Sequence, residues 1–337
     1  MRPGVSAWSC AAITVAAVVL VLAGCGAGEP GSGGGGQPFA TTDLVDGTDV
    51  ASPPGESVEQ TPDPSATVAV GAAVEDYLNR LPSSPAVTSA GATVAVAVSG
   101  EGWSAQVNGD RIVPSASAAK AYWVDAAAQA VGVDAVRPYV DAVFRYSDNN
   151  AAGGVIGLVG ADGINAATRS WGMSDTFLSS WRAGGEYVAS DRPELGTYNV
   201  TTVADGLRFL ETLTAAAEGG DEVAVQVLDW MTLAPDSLED GTQPGAALVA
   251  QLPPSVAAAT SHKAGWYWPG ESSMVDSTVI ALGVIPLPDR GTYLVAVSAV
   301  DGLPAEQLRL VGTISRDIHD IVRGSDAPAG YDQLPAP

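Results

Sequence analysis

The chain has 337 residues, 46% hydrophobic and 16% charged, a composition that fits a globular protein with a sizeable core. Its 38 acidic and 15 basic residues leave a formal charge of −23. That excludes nucleic acid as a partner, since phosphate binding needs clustered Lys and Arg, and gives the body of the protein no attraction for an anionic membrane surface.

The N-terminus supplies another route to the membrane. Arg2 precedes an uncharged apolar run from Ala11 to Ala23, shorter than the about 20 residues a spanning helix needs. Residues 1–24 read as a secretory signal. The run ends Leu22-Ala23-Gly24-Cys25, which resembles the bacterial lipobox, whose Cys becomes the lipidated first residue of the mature protein. The resemblance implies a lipid on Cys25 and a place on the extracytoplasmic face of the cell membrane, reached through the anchor alone. Cys10 leaves with the signal, so the mature domain has neither a free thiol nor a disulfide and rests on its core. Residues 25–66 are rich in Gly, Ser, Pro and Thr, including Gly33-Gly34-Gly35-Gly36 and Pro53-Pro54. They read as a disordered tether with an r.m.s. span of roughly 35 Å.

The folded domain is expected over residues 67–325, with 326–337 as a disordered tail. A helix is predicted from Thr67 to Leu81, with Val70, Ala73, Val74 and Leu78 on one face. Thr93 to Ser99 and Trp103 to Val107 read as a hairpin closed by Gly100-Glu101-Gly102. Ser117 to Met231 is Ala-rich and mostly helical, with Val133 to Tyr146 and Asn150 to Val159 as two of its helices. Thr201-Thr202 with Asp205 starts another, running into Leu207, Leu210 and Leu213. Ala258 to Trp266, Ser277 to Ile285 and Thr292 to Val300 read as strands, and Ala305 to Arg323 as a closing helix. The order gives an α+β class of α/β protein. An antiparallel five-stranded sheet is flanked by helices, with an all-helical subdomain across a cleft.

Lysine usage is lopsided. Arginine occurs 13 times and lysine twice, at Lys120 and Lys263. A guanidinium stays charged, whereas an amine can be driven neutral by burial or a nearby cation, so the two differ in proton transfer. Ser117-Ala118-Ala119-Lys120 puts a hydroxyl and an amine on one helical face at i,i+3, and Pro114 and Ser115 place Ser117 at the helix start. In an Ala-rich helix that spacing alone says little. Ser147-Asp148-Asn149 follows a predicted helix; Asp148 suits an N-cap in any case. Lys263-Ala264-Gly265 lies on a strand whose alternation sends Ser261 and Lys263 to one face and His262 to the core. Gly265 leaves room for another backbone to approach.

S-x-x-K, then S-D-N, then K-T-G in that order resembles the class A β-lactamases and related penicillin-binding proteins. The likeness spans about Thr93 to Val322 and includes Trp171-Gly172, Tyr198 to Gly206, Asp229-Trp230-Met231 and Leu252-Pro253. It implies an acyl-enzyme on Ser117, formed with a β-lactam or a D-Ala-D-Ala-like cell-wall peptide. Lys120 would be its base, kept neutral by burial and the Lys263 charge, and Ser147 the proton relay to the leaving nitrogen. Asn149 would hold the acyl side chain and Lys263 the substrate carboxylate. Gly265 and Trp266 would wall the site, the amides of Ser117 and Trp266 forming the oxyanion hole. No cofactor is expected, and no metal, because His262 and His319 have no ligand spacing; a monomer is expected.

Three departures accompany the resemblance. Ala264 stands where the family has Thr, and the interval from Ser117 to Ser147 is short. The family also carries a Glu in a Glu-x-x-Leu-Asn context that activates the deacylating water. Alignment from Trp181 puts Arg182 there; alignment from Pro193-Glu194-Leu195 puts Arg192, with Gly196 for Asn. Glu186 and Glu194 are the nearby carboxylates. The expectation is poor deacylation; the competing reading is a catalytically inactive binding or adaptor lipoprotein on the same fold.

Overall fold

The computed structural model describes residues 64–183, 186–189, 199–235, 244–268, 277–287 and 291–324. The expected signal, Cys25, nearly all of the tether, the tail, and Arg192 to Tyr198 with Glu194 lie outside the described residues.

A first helix, α1 (Pro64–Arg80), starts three residues before the predicted Thr67, and its buried stripe is Val74, Tyr77 and Leu78; Ala73, expected inward, is exposed. A short helix α2 (Pro85–Ala90) is capped by Ser84, whose side chain accepts the Val87 amide, and ends on left-handed Gly91. The first hairpin forms as predicted, β1 (Thr93–Gly100) with β2 (Trp103–Val107), turning on Gly102 at φ 73°. After β3 (Val113–Pro114), a 3₁₀ turn over Ala116–Ala119 leads into α3 (Lys120–Val131), then α4 (Val133–Arg145) and α5 (Asn149–Ser170). Gly160, at φ 75°, breaks α5 in two, so its first half ends at the predicted Val159.

The expected all-helical middle is interrupted. β4 (Ser180–Ala183) pairs antiparallel with β5 (Glu186–Ala189), which sets Arg182 opposite Tyr187 and Glu186 opposite Ala183. β6 (Val200–Thr201) pairs with β3. Trp181, Tyr187 and Val188 are good strand formers, a signal hidden by the Gly and Pro around them. α6 (Val203–Glu218) is capped by Thr202, and α7 (Glu222–Met231) by Asp221. The expected strand from Ala258 begins later. A helical turn α8 (Pro254–Ala257) occupies the preceding residues, and Thr260 donates its hydroxyl to the Val256 carbonyl before β7 (Ser261–Tyr267) begins. β8 (Thr278–Leu287), β9 (Gly291–Val300) and α9 (Pro304–Arg323) complete the fold.

The sheet is antiparallel and five-stranded, in the order β2-β1-β9-β8-β7. Its central strands are buried on both faces and therefore read as continuous apolar runs. Val94, Val96 and Val98 of β1 face one core with α1 and α9; Ala95 and Ala97 face the other, with α3 to α7. The small residues on the second face let α6 come close: a Cβ on Gly206 would stand 3.3 Å from that of Ala296. β7 is the edge strand beside the helical half, and the turn over Ala116–Ala119 packs against it. No helix among the described residues is long and apolar enough to cross a membrane.

Candidate active site

Three chain segments supply the site. Ser117 lies in the 3₁₀ turn, partly exposed, directly after Ala116 at φ 45°. A non-glycine residue in that region is strained, and strain of this kind persists only where its surroundings hold it. Ser115 provides part of the hold, its amide donating to the Asn199 carbonyl at 2.8 Å. Lys120 opens α3, one turn on from Ser117, and is 1% exposed.

Ser147, Asp148 and Asn149 join α4 to α5. Ser147 has φ 52°, a second strained non-glycine position. Asp148 is the N-cap, as expected, its side chain accepting the Ala151 amide at 2.7 Å. Asn149 begins α5 and points its Oδ1 at Lys120 Nζ, 2.7 Å away. Lys120 also donates to the Ser147 carbonyl and approaches Ser147 Oγ at 3.3 Å. Asn149 therefore engages the amine, a contact that the resemblance had not assigned to it.

The edge strand brings the second amine. Lys263 is 1% exposed; its Nζ lies 3.1 Å from the same Ser147 Oγ and 2.8 Å from the Ala264 carbonyl. The only two lysines of the chain thus meet on one hydroxyl. Gly265 is the close-approach point: a Cβ there would sit 2.9 Å from the carbonyl carbon of Ser117 and nearer still to the amides of Ser117 and Ala118. Alternation on β7 turns Lys263, Gly265 and Tyr267 one way and His262, Ala264 and Trp266 the other. Ala264, Trp266 and Trp268 belong with the α1 and α9 core, the two indoles 6.4 Å apart. Trp266 can therefore present only its backbone to the cleft.

Burial sets the electrostatics. Desolvation lowers Lys120 to about 8, with the Asp148 carboxylate pulling the other way. Lys263 is lowered well below its usual value by burial first and by the Lys120 charge second. Burial is the larger cause at both amines, and the repulsion between them is mutual. His262 is a core residue, held neutral by burial and the neighbouring Lys263 charge, with its value down at about 3. Among the described residues no three His, Cys, Asp or Glu side chains come together as a metal site.

The sequence profile of the β-lactamase enzyme family matches residues 135–322, more than half of the chain. The chain belongs to the β-lactamase enzyme family. The matched span takes in Ser147, Asn149 and Lys263 and begins after Ser117 and Lys120. No curated protein sequence matches the chain. Solved structures show the same fold. An ancestral (GNCA) class A β-lactamase is 20% identical, covering 72% of this chain and 97% of its own, with a TM-score of 0.54. A class A β-lactamase representative from Bacteroides cellulosilyticus is 17% identical, covering 77% and 99%, with a TM-score of 0.55. A β-lactamase from Sphaerobacter thermophilus is 22% identical, covering 78% and 98%, with a TM-score of 0.51.

Within this β-lactamase fold, two buried polar anchors escape a motif reading. Asn165 brackets the Leu178 backbone, donating to its carbonyl at 3.1 Å and accepting its amide at 2.8 Å. Asp205, read in the sequence only as part of a helix start, accepts the Asp175 amide and the Thr176 hydroxyl, each at 2.8 Å. The only available signal was the Thr202-x-x-Asp205 capping spacing, which does not say where the carboxylate goes.

Proposed function

We propose that this β-lactamase-family chain forms a covalent acyl-enzyme through Ser117 with β-lactams or D-Ala-D-Ala-like peptides, and releases the acyl group slowly. The observation that carries this is the pair of buried amines converging on Ser147 Oγ. Two ammonium ions cannot both donate to one hydroxyl in a dry site at low cost, so burial and mutual repulsion raise the neutral fraction of both amines, including Lys120 beside the nucleophile's turn. In this reading Lys120 takes the Ser117 proton as Oγ attacks the carbonyl carbon. Ser147 passes a proton to the departing nitrogen as the amide bond breaks, and the backbone N–H groups of Ser117 and Trp266 receive the oxyanion. Asn149 orients Lys120 and holds the acyl side chain, while Lys263 and the open strand at Gly265 receive the substrate carboxylate.

Slow release is supported by what lies after α5. Where a hydrolytic relative carries its water-activating Glu, this sequence has Arg182 by one alignment, on a β-hairpin strand, and Arg192 by the other, so neither supplies the carboxylate. Glu186 pairs with Ala183 at the turn end of that hairpin. We also place the domain outside the cell membrane, tethered through a lipid on Cys25. Intact mass of the soluble domain during exposure to a fluorescent penicillin tests the chemistry. A Ser117-dependent adduct that persists for hours is expected. No adduct would overturn the reading and leave the adaptor alternative, in which Ser117→Ala still complements a deletion. Steady nitrocefin turnover abolished by Glu186→Gln or Glu194→Gln would overturn slow release alone.

A further inference from the structure

Ahead of the nucleophile the chain joins a small three-stranded patch that the proposed chemistry does not use. β6 pairs with β3, Thr201 opposite Val113 and Val200 opposite Pro114. On its other side Val200 exchanges both backbone bonds with Phe177, at 2.9 and 3.0 Å. The side chains beside that pair also meet, Thr176 Oγ1 lying 2.7 Å from Thr201 Oγ1. Residues 199–201 therefore run between the stretch that leads into β4 and the stretch that leads into Ser117.

Asn199 opens this middle run and is held at two points. Pro114 has no N–H to give, so after Val113 the next donor on that strand is Ser115. The Ser115 amide reaches the Asn199 carbonyl at 2.8 Å, one residue before the strained Ala116 and two before the nucleophile. The Asn199 side chain serves the opposite neighbour: its Oδ1 accepts the Ser179 amide at 3.0 Å, with Ser179 Oγ 3.4 Å away. A side-chain amide thus stands in for a backbone carbonyl. Ser179 is itself fixed, because Phe177 is paired with Val200 and Leu178 is bracketed by the buried Asn165 at 2.8 and 3.1 Å. Every link from Asn165 to Ser115 is a formed hydrogen bond of 2.8–3.1 Å or a step along the chain. Held only by its carbonyl, a residue at the end of a two-residue strand frays; held by its side chain as well, it cannot turn without breaking a second bond.

We propose that Asn199 is a positioning residue for the nucleophile: the Ser179 amide anchors its side chain, and the anchored residue holds out the carbonyl that takes the Ser115 amide. The stretch feeding the β4–β5 hairpin and the turn that presents Ser117 are thereby one mechanical unit. The effect on rate rests on the acyl-transfer reading; the effect on the turn does not.

The test separates the acceptor from the bulk of the side chain. Asn199→Ala removes both, Asn199→Leu removes the acceptor and keeps the bulk, and Asn199→Asp keeps an acceptor oxygen. Hydrogen exchange of the full chain, read by mass spectrometry over residues 113–121, is compared among these and wild type, with penicillin acylation of each followed beside it. Exchange at the turn is expected to rise about tenfold in Asn199→Ala and Asn199→Leu, the equivalent of one hydrogen bond, and to return to within about threefold of wild type in Asn199→Asp. Acylation is expected to slow about tenfold in the covalent step of the first two, with prior binding unchanged. Wild-type exchange at the turn in Asn199→Leu would overturn the proposal, even if Asn199→Ala fails to fold. So would a turn as loose in Asn199→Asp as in Asn199→Leu, or a loosened turn that acylates at the wild-type rate. If wild type forms no adduct while the turn still responds, the positioning stands and the acyl-transfer reading falls.

Discussion

Gly265→Ala tests the geometry of the site at its tightest point. Backbone strain plays no part, because Gly265 is not among the left-handed glycines. The new methyl would stand 2.9 Å from the Ser117 carbonyl carbon and closer to two amide nitrogens. Carbon contacts settle at about 3.5–4.0 Å, so strand and turn must part by about 1 Å. Neither side yields cheaply. β7 is pinned to β8 at every residue from Ser261 to Tyr267, and the turn is pinned by the Ser115 amide on Asn199. A 1 Å misplacement of a reacting group costs about 10²-fold in rate, close to 3 kcal/mol of barrier. Overpacking removes about 1–3 kcal/mol of stability, or about 2–4 °C of melting temperature per kcal/mol. The assay is the second-order rate of penicillin acylation beside a thermal melt. Gly206→Ala, whose Cβ would press on Ala296 at 3.3 Å inside the helix–sheet core, is the control and should lose stability without the matching loss of rate. A Gly265→Ala protein that folds and acylates within about twofold of wild type would refute the role of this contact.

Two pH dependences follow from burial. If neutral Lys120 is the base, the acylation rate should climb about tenfold per pH unit up to about pH 8 and level off above it. Lys120→Arg should lose both the activity and the inflection, as a pH–rate series would show. The second concerns Asp125 on α3, 4% exposed and raised to about 7 by burial, with Asp221 adding to the rise and Gln129 opposing it. Between 3.8 and about 7 the folded chain keeps a proton that the unfolded chain has released, so this group's contribution falls as pH rises, by at most about 4 kcal/mol. Denaturant melts at pH 5 and pH 8 should show at most about 3 kcal/mol of that loss in the wild type and a reduced one in Asp125→Asn.

The sheet, its flanking helices and the order of the site segments were legible because each carries its own period. β1 is an apolar run and β2 alternates on the other side of a Gly turn, and the closing helix, predicted from Ala305, begins at Pro304. The convergence of the two lysines was legible from scarcity and chemistry together. The hairpin of β4 and β5 was not, since four-residue strands between Gly and Pro give periodicity too little length to register. Asp205 was visible as a capping residue, yet its partners Asp175 and Thr176 lie some 30 residues away in sequence and nothing local points to them.

The meeting of Lys120 and Lys263 has a thermodynamic side. Each amine has a lowered folded value, so the folded state is penalised relative to a chain whose lysines are in water, and the penalty eases as pH rises through each folded value towards 10.5, for Lys120 from about 8. The candidate centre is thereby an uncomfortable part of the described interior. Heat tolerance and reactivity pull on the same two side chains in opposite directions, and a lineage relieved of its chemical task would gain robustness first by replacing them with apolar neighbours.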